Sequence, residues 1–587
     1  MRDRPFSSFY LSSSSGRPPL RIGILLDRIL DRATSSVVED ILASDFARPV
    51  IVLFDAGPET MPPPAAAWTL RQRRRGRLWP SSLALRAKWA RLAWDVYVQL
   101  DRRRVRLAND PLAAADRGAV LEGLDASPVH PIVDGSGFRL PADTIDRIRA
   151  ARLDVLLHLG TSEFGGLVDV ASNGCWSFRH GDCDRYLGDP PHFWEMVDGT
   201  AVTAVILERR GQTPDDALVL ATAQFATDMG SLARNRVMPY FGSTHLVIRK
   251  LWELHQFGWQ HLAEQARHAA SPDGRLRRAG VPANRELVGW LLPRVLGSVA
   301  RRLVGRLTVR DKVDQWQMAI RTEGPGLTAD GSLDMSGFHW VPAPTGRFYA
   351  DPFVVERDGR TWLFFEDYEY AEGRGVISCA EVGADGRLEP SEVVLETAGH
   401  LSYPYVFFDG DVAWMIPESA AEGTVQLYRA TDFPHVWEPQ AEIFAGPALD
   451  SSVWQEDGLW WLFLTLREPR GGATMLWLFY AESLRGPWTF HPRNPISADV
   501  RWSRGAGAIH RRHGRLVRPS QDGSRGYGFS FSLNEITTLS PTAYQEHPIV
   551  TVTPDWAPSL VATHTYNRSG PIEVTDAKVR RARRDAR

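Results

Sequence analysis

A multidomain chain, with an α/β domain followed by an all-β five-bladed propeller, is what this sequence predicts, and three observations predict it. Short apolar runs alternate with helical stretches in the N-terminal part. Gly-centred hairpins recur at a regular spacing in the C-terminal part. Between them lies a segment rich in Arg, Ala and Leu without strand character. At 587 residues the chain exceeds what one hydrophobic core ordinarily serves.

Residues 1–19 are Ser- and Pro-rich and are expected to be disordered. The apolar run Arg21–Asp27 is followed by a helical stretch through Val37–Leu42 and a second run, Val50–Phe54. Strand, helix, strand at this spacing is a βαβ unit and implies a parallel sheet. Leu153–Leu159 adds another buried strand, and the domain is placed at 20–265. The basic clusters at 71–77 and 102–106 read as solvated faces. Residues 266–312, with Pro272, Pro282 and Pro293, read as a helical linker, and 578–587 as a frayed basic tail.

Composition sets the class. Hydrophobic residues at 43% and charged residues at 24% are those of a soluble globular protein. A net charge of -2 supplies no global field toward nucleic acid or anionic lipid, so no nucleic-acid partner is expected. Three cysteines, Cys175, Cys183 and Cys379, are too few and scattered for a disulfide framework or zinc cage, and no metal site is expected. The N-terminus has no apolar signal region and no stretch is long enough to span a membrane, so a cytoplasmic location is the expectation. The 21 Trp favour flat apolar surface beside polar groups, as on a sugar face.

After Trp316 one pattern repeats: an apolar strand, a tight turn carrying Gly, and a second apolar strand. The turn glycines are Gly359, Gly410, Gly458, Gly514 and, in the weakest copy, Gly570. Asp-Gly between two strand-like runs is a hairpin signal because Gly tolerates the positive φ of the turn. Five hairpins at a blade-sized period give a propeller over 313–577.

The first strand of each blade lines the central channel. That strand carries Asp351 in blade one, Tyr403 in blade two and Asp450 in blade three; Glu418 follows the second hairpin. Blade four offers Arg504 and then Arg518, Gln521 and Asp522, and blade five offers His564. Carboxylates gathered in one aromatic-lined funnel have their pKa values pushed apart by burial and repulsion, which is what glycosidic-bond chemistry needs. Asp351, Glu418 and Asp450 are therefore the catalytic candidates, with Tyr403, Arg504, Arg518, Gln521, Asp522 and His564 as substrate contacts. The architectural alternative has Asp351 and Asp450 capping backbone N–H groups while Glu418 pairs with Arg518.

The segments ADPF, SYPYVF, MIPES, LDSSVW and VRPSQD resemble the five-bladed propellers of glycoside hydrolase family 43, and still more the propeller domain of glucosamine inositolphosphorylceramide transferases. The resemblance implies a general base at Asp351, a second Asp that orients or tunes, and a Glu acid. The order in this chain is Asp351, Glu418, Asp450, so Glu418 departs from the hydrolase order of Asp, Asp, Glu.

In the first domain, Asn173–Asp182, then Gly188–Trp194 and VDGTAVTAVILER, resemble the Rossmann-type formyltransferase fold of methionyl-tRNA and sugar N-formyltransferases. The resemblance implies that His180 is a catalytic histidine, with Asp182 as a substrate contact of a repurposed site. Phe178 stands where the family has Asn, and Thr213 where it has Asp, with Asp215 and Asp216 next in line. A folate-type formyl donor is accordingly not expected.

The function these features predict is a carbohydrate-active enzyme of glycan or glycoconjugate biosynthesis, a glycosyl- or other sugar-modifying transferase. A nucleotide sugar is the candidate donor and a carbohydrate or glycoconjugate the partner. The alternatives are a family-43-like hydrolase, a sugar N-formyltransferase and a non-catalytic glycan-binding protein. Nothing in the sequence sets the oligomeric state.

Overall fold

The computed structural model describes residues 6–57, 80–134, 137–161, 164–182, 184–186, 189–213, 216–269, 280–308 and 312–582. The basic cluster at 71–77, Cys183, Asp215 and the tail residues 583–587 lie outside the described residues. The chain divides into two compact units, one made chiefly of residues 6–299 and the other chiefly of residues from 300 onward.

The first unit is built on an eight-stranded sheet. Its strands are β1 (Leu20–Leu26), β2 (Ala47–Asp55), β3 (Ala126–Val129), β4 (Val155–His158), β5 (Cys175–His180), β6 (Val202–Arg209), β7 (Leu218–Ala226) and β8 (Arg267–His268). They lie in the order β8-β7-β6-β5-β4-β1-β2-β3. β3, β2, β1, β4 and β5 pair in parallel, as the βαβ reading requires, while β6, β7 and β8 complete the sheet antiparallel. β4 is buried along its whole length, as expected of a central strand covered on both faces. Helix α1 (Arg32–Ala43) crosses from β1 to β2, its N-terminus capped by Asp31 accepting from the Thr34 N–H. Three further helices matter below: α2 (Pro80–Val105), α3 (Leu232–Ser243) and α4 (Asn284–Thr308).

Expected disorder through residue 19 does not hold for the described part. Residues Ser8–Tyr10 form a helical turn, with Phe6 and Tyr10 buried. Tyr10 meets Trp252 edge-on, and the Ser13 hydroxyl bonds His255. Two aromatic anchors outweigh the local Ser-rich composition. Arg267 and His268, assigned by sequence to the linker, are β8; α4 supplies the helical part.

The second unit is a five-bladed propeller. Blade one is Arg347–Arg357, Arg360–Glu369, Arg374–Val382 and Glu392–Leu395. Blade two is Ser402–Asp409, Val412–Glu418, Thr424–Asp432 and Val436–Ala445. Blade three is Ala448–Glu456, Leu459–Arg467, Thr474–Ala481 and Thr489–Phe490. Blade four pairs Arg504–Gly505 and His510–Arg512 with Arg515–Asp522, followed by Ser530–Leu539 and Tyr544–Val552. In blade five Leu560–Ala562 and Tyr566–Ser569 pair with Ile572–Ala582, which pairs with Lys312–Arg321 and through it His339–Val341. The last blade thus takes its outer strands from before the first. That closure leaves no open edge between first and last blades.

One boundary moves as a result. Lys578–Ala582 form the end of a paired strand rather than a frayed tail, because Lys312–Arg321 supplies their ladder partners. The hairpin turns follow the sequence signal: Asp358-Gly359, Asp457-Gly458 and His513-Gly514 hold both residues at positive φ, the geometry of a tight two-residue connection.

Candidate functional site

The inner strands of blades one, two and three share a local device. Asp351, Tyr403 and Asp450 sit at φ values of 49°, 46° and 44°, where non-glycine residues are uncommon. At each the ladder skips, between Ala350 and Phe353, Ser402 and Tyr405, and Leu449 and Ser452. A bulge of this kind re-aims one side chain and removes one N–H from the ladder. Each freed N–H is taken by an acid of the preceding blade. Asp351 N donates to Asp576 Oδ2 at 2.9 Å, Tyr403 N to Asp351 Oδ2 at 3.3 Å, and Asp450 N to Glu418 Oε2 at 3.4 Å. Three strained turns and three carboxylates therefore stitch four blades around the axis.

A second repeat lies one strand outward. The residues opposite the bulges are Glu366, Glu418 and Thr465 in blades one to three, and Gln521 holds the matching place opposite Arg504 in blade four. With Asp576 of blade five, they bring five carboxylates to one centre: Asp351, Glu366, Glu418, Asp450 and Asp576. Asp351, Asp450 and Asp576 are buried; Arg504 and His564 are set among four of these acids, and His400 Nε2 lies 3.4 Å from the fifth, Glu366.

The cations divide the acids between them. Arg504 Nε bonds Asp450 Oδ2, and its Nη2 lies 3.5 Å from Glu418 Oε2. Gln521 Nε2 donates to the same Asp450 oxygen at 3.2 Å. Asp450 is thus pinned from two sides. His564 bridges two carboxylates, with Nδ1 2.7 Å from Asp576 Oδ1 and Nε2 3.3 Å from Asp351 Oδ1. Burial disfavours an imidazolium there, yet Asp576 and Asp351 outweigh it and raise the His564 pKa. Burial pushes Asp351 up to about 7; Asp576 and Asp450 add to the rise while His564 opposes it. Burial, joined by neighbouring acids, holds Glu366 and Glu418 well above the usual carboxylate range.

Aromatic rings surround the cluster. Trp316 stacks on His564 with centroids 4.0 Å apart, and Lys578 Nζ lies 4.6 Å from the centre of the Trp316 ring. Tyr527, half exposed, stands edge-on to both rings and beneath the Arg504 guanidinium at 4.8 Å. Asp351, His564 and Asp576 also place one ligand atom each within 4.8 Å of one another, a set that fits a cation.

Of the residues expected at this centre, Asp351, Glu418, Asp450, Arg504, Gln521 and His564 meet there. Tyr403 joins through its backbone; its ring is buried beneath, the hydroxyl accepting from Gly507 N at 2.9 Å. Arg518 and Asp522 do not. Both stand an odd number of residues from Gln521, so the pleat sends them to the opposite face. Arg518 is held by Glu546 in two bonds of 2.8 and 2.7 Å, and Asp522 accepts from Ser524 N. The expected Glu418–Arg518 pair is replaced by Glu418–Arg504. Glu366, Asp576, Tyr527 and Trp316 were missed. Glu366 stands in blade one where Glu418 stands in blade two, but in the sequence it is a lone acid within an apolar strand.

In the first unit, His180 ends β5 and stacks on Tyr240 of α3 at 4.2 Å and 13°. His192 meets it edge-on at 5.2 Å. Burial, assisted by Arg236, pushes His180 down to about 3, so its imidazole is neutral. Asp182 accepts from Asp184 N at 3.0 Å, and Thr213 closes its own turn on Asp216. Neither supplies His180 with a carboxylate partner.

Residues 339–564 match the family model described as glucosamine inositolphosphorylceramide transferase 1, N-terminal. A protein named glucosamine inositolphosphorylceramide transferase 1 from Oryza sativa subsp. japonica is 36% identical over 207 residues, covering 34% of this chain and 28% of its own length. The Arabidopsis thaliana protein of that name is 32% identical over 207 residues, covering 34% and 27%. The chain thus spans under a third of the curated relatives it matches. Among solved structures, the Cellvibrio cellulosa α-L-arabinanase complexed with arabinohexaose aligns over 34% of this chain and 77% of its own, at 14% identity and TM-score 0.27. The β-1,2-mannobiose phosphorylase from Listeria innocua covers 42% and 93%, at 12% identity and TM-score 0.31.

Proposed function

We propose that the chain is a sugar transferase of glycan or glycoconjugate assembly and that the propeller axis holds the sugar and moves its protons. The observation that carries this reading is the convergence of Asp351, Glu418, Asp450 and Asp576, from four blades, on Arg504 and His564, with Glu366 raised by the same acids beside them. Acids this close in a buried centre resist ionising together, which is why Asp351, Glu366 and Glu418 are all raised.

Four of the acids then have distinct tasks. Asp351, with its pKa at about 7, takes the proton of an acceptor hydroxyl. The His564–Asp576 pair behind it fixes its orientation. Glu418, kept protonated and held only by contacts of 3.4 and 3.5 Å, gives a proton to the leaving oxygen. Asp450, pinned by Arg504 and Gln521, supplies a fixed negative charge beside the developing oxocarbenium ion. Tyr527, half exposed at the rim, offers aromatic surface to a sugar ring. The names of the matching plant proteins support transfer over hydrolysis and make an inositolphosphoryl sphingolipid the first acceptor to try. The isolated neutral imidazole of His180 supports placing the chemistry in the propeller rather than in the first unit.

The test is a panel of nucleotide sugars with sphingolipid and oligosaccharide acceptors, incubated with the full chain and read by mass spectrometry. An acceptor heavier by one glycosyl unit is expected. Asp351→Asn should lower that rate by about 10² to 10⁴ while leaving ligand affinity within a few-fold. Free sugar released with no acceptor gain would make the site hydrolytic. Ligand binding with no product from any pair would reduce it to a lectin.

A further inference from the structure

We propose that α2 and α4 form a face that docks on an anionic membrane surface. On α4, Val288, Leu292, Val295 and Leu296 are 49%, 53%, 54% and 59% exposed, at spacings of four, seven and eight residues from the first. On α2, Leu92, Val96 and Leu100 are 48%, 45% and 59% exposed, again on one stripe. These seven are nearly half of the sixteen large hydrophobics exposed among the described residues, so the exposure is concentrated rather than scattered.

The opposite faces of the same helices are already used. Trp94, Leu287 and Trp290 are buried in a shared cluster, Tyr97 meets Trp290 edge-on at 6.0 Å, and Asn284 Oδ1 accepts from Ala93 N at 3.3 Å. The two helices therefore lie against each other with their unused apolar stripes turned away from the core. A helix apolar on both faces needs a second apolar medium on its outer side.

Charge selects that medium. Residues 284–308 hold Arg285, Arg294, Arg301, Arg302 and Arg306 against the single acid Glu286, in a chain whose net charge is -2. The sequence of 80–105 adds six Arg and Lys against Asp95 and Asp101, with Arg102 of the last turn paired to Asp110. Apolar stripes on helices whose sequences are net basic match an acyl boundary beneath anionic headgroups. No described helix is long and apolar enough to cross a membrane, so the contact is with its surface.

The experiment co-sediments the full chain with phosphatidylcholine vesicles, with and without phosphatidylserine, alongside analytical ultracentrifugation without vesicles. The wild type should pellet with the phosphatidylserine vesicles and release in high salt. Leu292→Glu/Leu296→Glu should cut the bound fraction at least about tenfold at an unchanged circular-dichroism spectrum. Val96→Glu, on the other helix, guards against misfolding of the double variant and should weaken binding too. Absence of wild-type binding to either vesicle overturns the proposal, as does unchanged binding by folded variants. A dimer that ignores vesicles and that Leu292→Glu splits would make the face a contact between two copies, which also overturns it. Sugar transfer to a soluble acceptor reads the propeller site separately.

Discussion

One histidine in each unit lies on an aromatic ring, and the two have opposite charge behaviour. His180 stacks on Tyr240 at 4.2 Å and burial drives it down to about 3. His564 stacks on Trp316 at 4.0 Å and its pKa is raised. Burial penalises the imidazolium in both. The difference is the company: Asp351 and Asp576 bracket His564, whereas Arg236 is the charged neighbour of His180. Depth alone does not set the charge of a buried group. Carboxylates brought from other strands do.

Removing the cation that holds the acids apart should have the largest effect on this contrast. Arg504→Ala leaves Asp450 buried without its partner, and unfolding by urea should show a loss of about 3 to 5 kcal/mol, with turnover at background. A stable variant would mean that solvent already screens the pair. Asp576→Asn is milder, because His564 keeps Asp351. Its transfer rate should fall about ten- to a hundred-fold, and its acidic limb should shift down in pH because the Asp576 carboxylate no longer raises Asp351. An unshifted pH profile would mean that Asp351 does not set the acidic limb.

A third effect concerns stability against pH. Asp351 is raised to about 7 from an ordinary value near 4, so the folded chain binds a proton that the unfolded chain releases. Its contribution is present below the unfolded pKa and declines as pH rises toward 7, by up to about 1.4 kcal/mol per pH unit for one proton. Raised Glu366 and Glu418 act in the same direction, and so does His564, whose contribution is lost as pH rises through its folded pKa. Asp351→Asn should therefore gain on the wild type between pH 5 and pH 7 in denaturant titrations. Parallel curves would refute the assigned shift. The smallest effect is expected in the other unit. His180→Phe exchanges one ring for another against Tyr240, should change stability by about 1 kcal/mol or less, and should leave sugar transfer untouched. A collapse of transfer would bring the first unit into the reaction.

Much of the ring was legible in one dimension. Each blade repeats an apolar strand, a Gly turn and an apolar strand, and local backbone chemistry at Asp358-Gly359 or Asp457-Gly458 is enough to mark a hairpin. Asp351, Tyr403 and Asp450 could be aligned for the same reason. Glu366 escaped because it sits in an apolar strand, where a lone acid gives no periodic signal. Asp576 escaped because its strand belongs to a blade assembled from both ends of the propeller. The buried N-terminal turn at Ser8–Tyr10 was illegible too, since its stability comes from Trp252 and His245, more than two hundred residues away.

Short-range preferences, namely the turn glycines, the alternation of strand and helix and the apolar runs, set the two architectures and the count of blades, since each depends on neighbours a few residues apart. Which carboxylates share a centre and which cation each receives came from the closing of the ring. So did the fate of Arg518 and Asp522, adjacent in sequence to Gln521 or nearly so and yet facing away. Pleat direction and blade closure act over distances that no local pattern encodes, and electrostatic energies in a buried centre change with every ångström of that arrangement.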